Sequence, residues 1–291
     1  MASFAIVTDS TTDLPQEYLD KHNIPLICLS CIMGDNTYDK ENPIDIDEFY
    51  KQVREGQMPS TSQPSPEASK AVLLEAVEQG YKDILYIAFS TGLSGTYQSG
   101  LIAIDMLKEE HPEVNVVIID SLCASLGEGL LVDKAVRMRD AGATIEETAA
   151  YIEAHRLEVA HVFTVDDLFH LHRGGRLSKA SAVVGTMIGI KPILIVDNEG
   201  KLVNVAKARG RKKSLTTLVD MMGTKLGSYK DDKSNPIFIS HGDCLEDAQF
   251  VANEVTKRFG FTNFLFNSLG PVIGSHAGPG TVALCFFAEK R

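Results

Sequence analysis

The stretch FAIVTDSTTDLP, residues 4–15, decides the fold class because it contains the start of one strand-loop-helix unit. Phe4 to Val7 is a continuous apolar run, which is typical of a strand buried on both faces. A loop of hydroxyls and carboxylates follows, and Pro15 suits the first position of the next helix. The same unit recurs through the first half of the 291-residue chain.

Three further apolar runs predict strands, at Ile24 to Ile32, Ile84 to Phe89 and Val114 to Ile119. Amphipathic stretches predict helices at Pro15 to His22, Asp45 to Glu55, Pro66 to Gln79, Thr96 to Glu110 and Gly127 to Ala141. Strands that alternate with helices pair in parallel. We therefore expect an α/β fold whose first domain, residues 1–160, is a three-layer unit with a parallel sheet.

The pattern changes after a predicted helix at Thr144 to Arg156. Strands are predicted at Val159 to Val165, Lys191 to Val196, Leu202 to Ala206, Pro236 to Ser240, Asn263 to Asn267 and Thr281 to Ala288, with helices at Lys212 to Leu226 and Leu245 to Phe259. The turn at 197–200 contains Asn and Gly, which favours an antiparallel hairpin. Residues 161–291 are thus expected to form an α+β domain with a mixed sheet that closes a ligand crevice against the first domain.

Composition excludes several classes of function. The chain has 39 acidic and 28 basic residues and a net charge of -11, which argues against nucleic-acid binding. No apolar run approaches the roughly 20 residues that span a bilayer, and the first residues lack the basic segment of a secretory signal. We expect a cytoplasmic protein without stable membrane insertion. Cys28 and Cys31 lie three apart in a strand-like run, so they face opposite sides and predict neither a metal nor a cofactor site.

Four segments are rich in hydroxyls or glycines, namely 8–13, 60–65, 90–97 and 274–281. Ligands of parallel sheets bind beyond the carboxyl ends of the strands, where such loops gather. Hydroxyls and the free N–H groups of helix N-termini together form a receptor for an anion. Any one segment is typical of turns and helix caps, but the first three together predict a ligand site.

These motifs also allow two other interpretations. Residues 92–96, Gly-Leu-Ser-Gly-Thr, nearly match the G-x-S-x-G turn of serine hydrolases, which suggests an acyl hydrolase or transferase with Ser94 as nucleophile and His276 as base. The match lacks its last glycine, since Thr96 stands there, and no acid neighbours His276 in sequence. Residues 173–176, Arg-Gly-Gly-Arg, indicate a polar turn with positive φ at the domain junction.

Segments 8–15, 61–65, 93–99, 173–176 and 274–280 occur in this order, and together they closely resemble the DegV family of bacterial fatty-acid-binding proteins. The resemblance spans essentially the whole chain. It implies a DegV-like fold of two domains that holds one long-chain fatty acid, such as palmitate, in an internal apolar tunnel. It also implies a lipid-binding protein without catalytic machinery of its own, with a role in lipid transport or fatty-acid metabolism.

The resemblance assigns the site residue by residue. The hydroxyls that match the family's carboxylate site are Thr61 and Ser94, with Ser62 adjacent and His276 nearby. Some members present the fatty acid to a separate fatty acid kinase, and Arg209 or Arg211 matches the region that docks there. About fourteen methylenes at about 0.8 kcal/mol each amount to roughly 11 kcal/mol of apolar burial. The ionised carboxylate, in contrast, needs several donors to replace its water.

Overall fold

The computed structural model describes residues 3–166, 168–177 and 189–291. The elements up to residue 155 are β1 Ala5–Asp9, α1 Gln16–His22, β2 Leu26–Ile27, β3 Ser30–Met33, β4 Asn36–Tyr38, α2 Ile46–Arg54, β5 Ser60–Ser62, α3 Pro66–Glu78, β6 Asp83–Ala88, α4 Thr96–Glu110, β7 Asn115–Asp120, α5 Leu126–Asp140 and α6 Ile145–His155. Those that follow are β8 Val159–Thr164, α7 Phe169–Arg173, β9 Ile190–Val196, β10 Leu202–Arg209, α8 Arg211–Lys225, β11 Ile237–His241, α9 Leu245–Phe259, β12 Phe264–Ser268, α10 Pro271–Ala277 and β13 Val282–Phe287.

The first sheet has the strand order β2-β1-β6-β7, and all its pairs are parallel. All five residues of β1 are buried, as the apolar run at its start predicts. Local signals also set the helix starts: the Ser65 hydroxyl accepts the N–H of Ala68, and Pro66 takes the first position of α3. The predicted parallel α/β unit is confirmed.

The prediction of one strand from Ile24 to Ile32 is wrong. The chain leaves the parallel sheet after Ile27, and β3 joins a separate antiparallel sheet of order β4-β3-β5. Residues 60–62, expected as loop, form its third strand because they pair with β3. Both halves of the run are apolar, so hydropathy does not mark the point where the pairing partner changes.

The second sheet has six strands in the order β10-β9-β8-β13-β11-β12. Only β11 and β12 pair in parallel among its described pairs, so the sheet is mixed, as predicted. The hairpin from β9 to β10 is also confirmed. The Asp197 side chain stabilises its turn by accepting the N–H groups of Glu199 and Lys201.

Helix α5 lies between the two sheets. One apolar cluster contains Ile6 and Leu85 of the first sheet, Leu130 of α5, and Phe238 and Phe287 of the second sheet. The sheets therefore share a core around α5, in addition to the separate apolar cluster that each sheet forms with its own helices. A domain division at residue 160 stays a prediction. In the described ranges, no helix combines the length and apolarity needed to cross a membrane.

Candidate functional site

A cavity lies where the loop after β6, helix α10 and one face of the second sheet meet. It contains about 800 Å³ of space free of protein atoms, part of it continuous with solvent. Most of its wall is apolar, with contributions from Phe89, Leu93, Phe163, Leu202, Val272 and Ala283. Pockets for small molecules generally have this character, with a few placed polar groups that fix the ligand's orientation.

Polar side chains gather at one part of the wall. Thr61 of β5 and His276 of α10 are hydrogen-bonded, with 2.8 Å between Oγ1 and Nε2. Ser94 and Arg176 belong to the same wall, as does Gln63. The structure thus brings together three of the four hydroxyl and imidazole residues predicted from the sequence, although they come from three distant segments.

His276 is neutral at physiological pH. Burial lowers its pKa to about 4, and the charges of Arg176 and Arg173 act in the same direction. The Ser94 hydroxyl is bonded to the Thr96 hydroxyl at 2.8 Å, not to His276. Among the described residues no carboxylate is hydrogen-bonded to His276. The base and orienting acid that a serine hydrolase needs are therefore not assembled around Ser94.

Ser62 points away from the cavity. It is exposed, and its hydroxyl donates to the carbonyl of Gln63 at 3.2 Å. Adjacent side chains of a strand face opposite sides, so only one of Thr61 and Ser62 can enter the cavity. The register of β5, which sets Thr61 opposite Cys31, makes Thr61 that residue.

Arg176 is a wall residue that was predicted only as part of a turn. Its Nε donates to the carbonyl of Leu93 at 3.1 Å and its Nη1 to that of Gly174 at 2.6 Å. Gly174 permits this arrangement, since a Cβ there would come within 2.0 Å of His276 Nδ1. Gly175 has φ +75°, as the turn prediction requires. The signal in the sequence was a pair of cations beside two glycines in an acidic protein.

The segment 8–13 does not contribute to the cavity wall. Its polar groups form a buried network in which Thr8 and Thr11 each donate to Glu128 at 3.1 Å, and Thr11 also approaches Asp9 Oδ1 at 2.5 Å. Burial raises the pKa of Asp9 to about 6 and that of Glu128 well above its usual range. Thr11 has a single hydroxyl proton and two carboxyl neighbours. A protonated carboxyl is therefore needed to complete the network.

Asp13 connects this acidic region to the cavity. Its carboxyl accepts the hydroxyl of Ser125, a wall residue, at 2.6 Å and the N–H of Gly270 at 2.8 Å. Gly270 is the N-cap of α10, the helix that carries His276. Burial raises the pKa of Asp13 to about 7. Asp13 thereby fixes the start of the helix that positions the polar wall.

The two predicted docking arginines differ in their surroundings. Arg211 is half-buried and forms an ion pair with Asp247, with 2.7 Å between Nη2 and Oδ2. Arg209 is exposed at the end of β10, an edge strand of the second sheet. Of these two residues, only Arg209 presents its charge mainly to solvent.

Comparison with known proteins agrees with this architecture. A family model described as "Uncharacterised protein, DegV family" matches residues 3–289. A DegV domain-containing protein of Clostridium perfringens is 40% identical over 293 residues, which cover 100% of this chain and 99% of that protein.

Solved structures with the same fold carry descriptions of fatty-acid binding. DegV of Bacillus subtilis, described as a fatty acid binding protein, matches with a TM-score of 0.83 and 31% identity over 99% of this chain and 100% of that one. A stearic acid-binding protein from Eubacterium ventriosum matches with a TM-score of 0.89 and 27% identity over 98% of both chains. The family model and the Clostridium relative each cover nearly the whole sequence, and this chain therefore belongs to the DegV family.

Proposed function

We propose that the protein binds one long-chain fatty acid, of about the length of palmitate, in the cavity. The carboxylate lies at Thr61, Ser94, His276 and Arg176, and the acyl chain follows the apolar wall. The observation that carries this proposal is a mostly apolar cavity whose wall holds Thr61, His276 and the cation of Arg176 close together. The fatty-acid-binding descriptions of the Bacillus and Eubacterium structures support it.

Arg176 can replace the water that an ionised carboxylate loses when it enters the cavity. An ionised carboxylate that leaves water needs charged or multiple donors. The guanidinium of Arg176 supplies a positive charge and several N–H donors. Burial lowers the pKa of Arg176, but its ordinary value is so high that the group stays charged. The hydroxyls of Thr61 and Ser94 add neutral donors. Because the whole chain is acidic, these local groups have to carry the recognition of the acid.

The protein acts by binding, without catalysing a reaction on its ligand. Ser94 is bonded to Thr96 and His276 to Thr61, and the charged neighbours that shift the pKa of His276 are cations. A neutral histidine in this position serves as a hydrogen-bond partner for the carboxylate. We place this role in lipid transport or fatty-acid metabolism in the cytoplasm.

The double variant Thr61→Ala/Ser94→Ala is expected to weaken hexadecanoic acid binding about tenfold to a hundredfold. It removes two donors, each of which contributes about 1 kcal/mol or more. Isothermal titration measures the affinity after delipidation, and mass spectrometry of the denatured parent protein is expected to reveal a co-purified fatty acid.

Ser62→Ala is the matched control, because Ser62 lies beside Thr61 but faces solvent. Its affinity should equal that of the parent. If the double variant bound as tightly as the parent, the carboxylate site would be misassigned. If the delipidated parent bound no fatty acid at all, the proposed function itself would be refuted.

We also propose that the loaded protein docks on a fatty acid kinase through the exposed end of β10. Arg209→Glu is expected to lower capture by a purified bacterial fatty acid kinase about tenfold, because it reverses a charge that faces solvent. Lys21→Glu, an equal change at an exposed position on α1, serves as the control. Equal capture of both variants and the parent in a pull-down would remove Arg209 from the docking surface.

A further inference from the structure

A second cavity adjoins the first on the side of the small antiparallel sheet. It contains about 490 Å³ of space and is also partly open to solvent. Its wall includes Cys28, Tyr38, Pro43, Ile44 and Pro271, and is mostly apolar. We call it the side cavity and the first one the main cavity. The carboxylate of Asp39, which also lines it, is occupied in accepting the N–H groups of residues 41 and 42.

Leu29 and Val272 belong to the walls of both cavities. They are 5% and 7% exposed and belong to one apolar cluster with Phe89 and Leu93. Leu29 is fixed where the chain passes from β2 to β3, since its N–H donates to the Ser10 hydroxyl at 3.0 Å. Two apolar side chains are thus the shared boundary between the cavities, which we call the partition.

The partition lies close to the carboxylate end of the proposed ligand. Val272 and His276 are four residues apart on α10, which corresponds to about 6 Å along the helix axis. A ligand whose acid group contacts His276 and whose chain runs toward Val272 passes the partition with its first few methylenes. A second chain that branched from the acid near its carboxylate would extend toward the side cavity.

We infer that Leu29 and Val272 select against acids that branch beside the carboxylate, because they close the side cavity to such a branch. This inference rests on the proposed function. It assigns to two apolar residues a selectivity that the polar site does not have, since the carboxylate is the same in straight and branched acids. The atoms of the partition exclude a branch by occupying its space.

Two isomers of sixteen carbons test the inference: hexadecanoic acid, and 2-hexyldecanoic acid with its hexyl branch beside the carboxylate. The parent is expected to prefer the straight isomer by about tenfold or more. Leu29→Ala is expected to reduce that preference about tenfold, because each methylene that gains a dry environment changes affinity about fourfold. Val272→Ala thins the same partition from the other side and should change the preference in the same direction.

Leu202→Ala is the matched control, since Leu202 lines the main cavity but not the side cavity. It removes the same atoms without joining the two spaces, so the preference should change little. Thermal unfolding verifies that each variant folds. An unchanged preference in both partition variants, or an equal change in Leu202→Ala, would overturn the inference. A delipidated parent that bound neither isomer would instead refute the proposed function, so the two failures are distinguishable.

Discussion

Replacement of Arg176 by methionine is expected to weaken hexadecanoic acid binding by about a hundredfold. A hydrogen bond to a charged group contributes about 1.5–3 kcal/mol. Among the described residues that line the main cavity, Arg176 is the only arginine or lysine, so the variant removes the cationic partner of the carboxylate. Methionine keeps much of the unbranched side chain, so the wall stays filled. Isothermal titration with delipidated protein measures the loss.

Hexadecan-1-ol separates the charge effect from a change in cavity shape. It has the same chain but no charge, so Arg176→Met should weaken its binding much less than that of the acid. Arg176→Lys, which keeps a charge but not the two bonds to Leu93 and Gly174, should fall between the parent and the methionine variant. Equal losses for acid and alcohol would show that Arg176 only maintains the wall.

The contribution of Asp9 and Asp13 to the free energy of unfolding is expected to decrease as the pH rises from about 4 to about 7. Burial raises the pKa of Asp13 to about 7 and that of Asp9 to about 6, while the same groups in the unfolded chain ionise near 3.8. These two carboxyls therefore hold more protons in the folded state than in the unfolded state within this window. The stability that they contribute is highest on the acidic side of the window and is lost as the pH rises through the folded pKa values.

Asp13→Asn is expected to remove on the order of 3 kcal/mol of this decrease. An amide stays neutral at every pH, and its oxygen can still accept the N–H of Gly270. Urea unfolding at pH 5, 6, 7 and 8 measures the effect. Glu41→Gln, which changes an exposed carboxyl, should retain the parent's pH profile. Equal pH profiles of the parent and Asp13→Asn would contradict the assignment of Asp13 as a buried, protonated acid.

Local sequence patterns were sufficient to predict that the first sheet is parallel and the second mixed. The apolar run at Phe4 and the turn at 197–200, which contains Asn and Gly, are properties of neighbouring residues, and both predictions hold in the structure. The division of residues 24–32 between two sheets was not predictable in this way. It depends on the partner strand at 60–62, about thirty residues away, and hydropathy does not encode that pairing.

The prediction of the site residues from local sequence patterns was limited in the same way. The motifs pointed to Thr61, Ser94 and His276, all of which line the main cavity. They did not distinguish Thr61 from Ser62, because that choice depends on strand register. The segment 8–13 has the composition of a ligand-binding loop, yet its hydroxyls form hydrogen bonds with buried carboxyl groups in the interior. Composition reports which groups are present, and only tertiary contacts decide which of them face a ligand.

The position of α5 between the sheets bears on how a ligand is exchanged. Separation of the two large sheets would expose apolar surface on both faces of this helix to water. The free-energy cost is about 25 cal/mol for each Å² of apolar surface exposed. Proteins with two independent lobes avoid that penalty because each lobe retains its own interior. Exchange of the proposed ligand by displacement of a peripheral element, such as the β4-β3-β5 sheet, would leave the core around α5 intact.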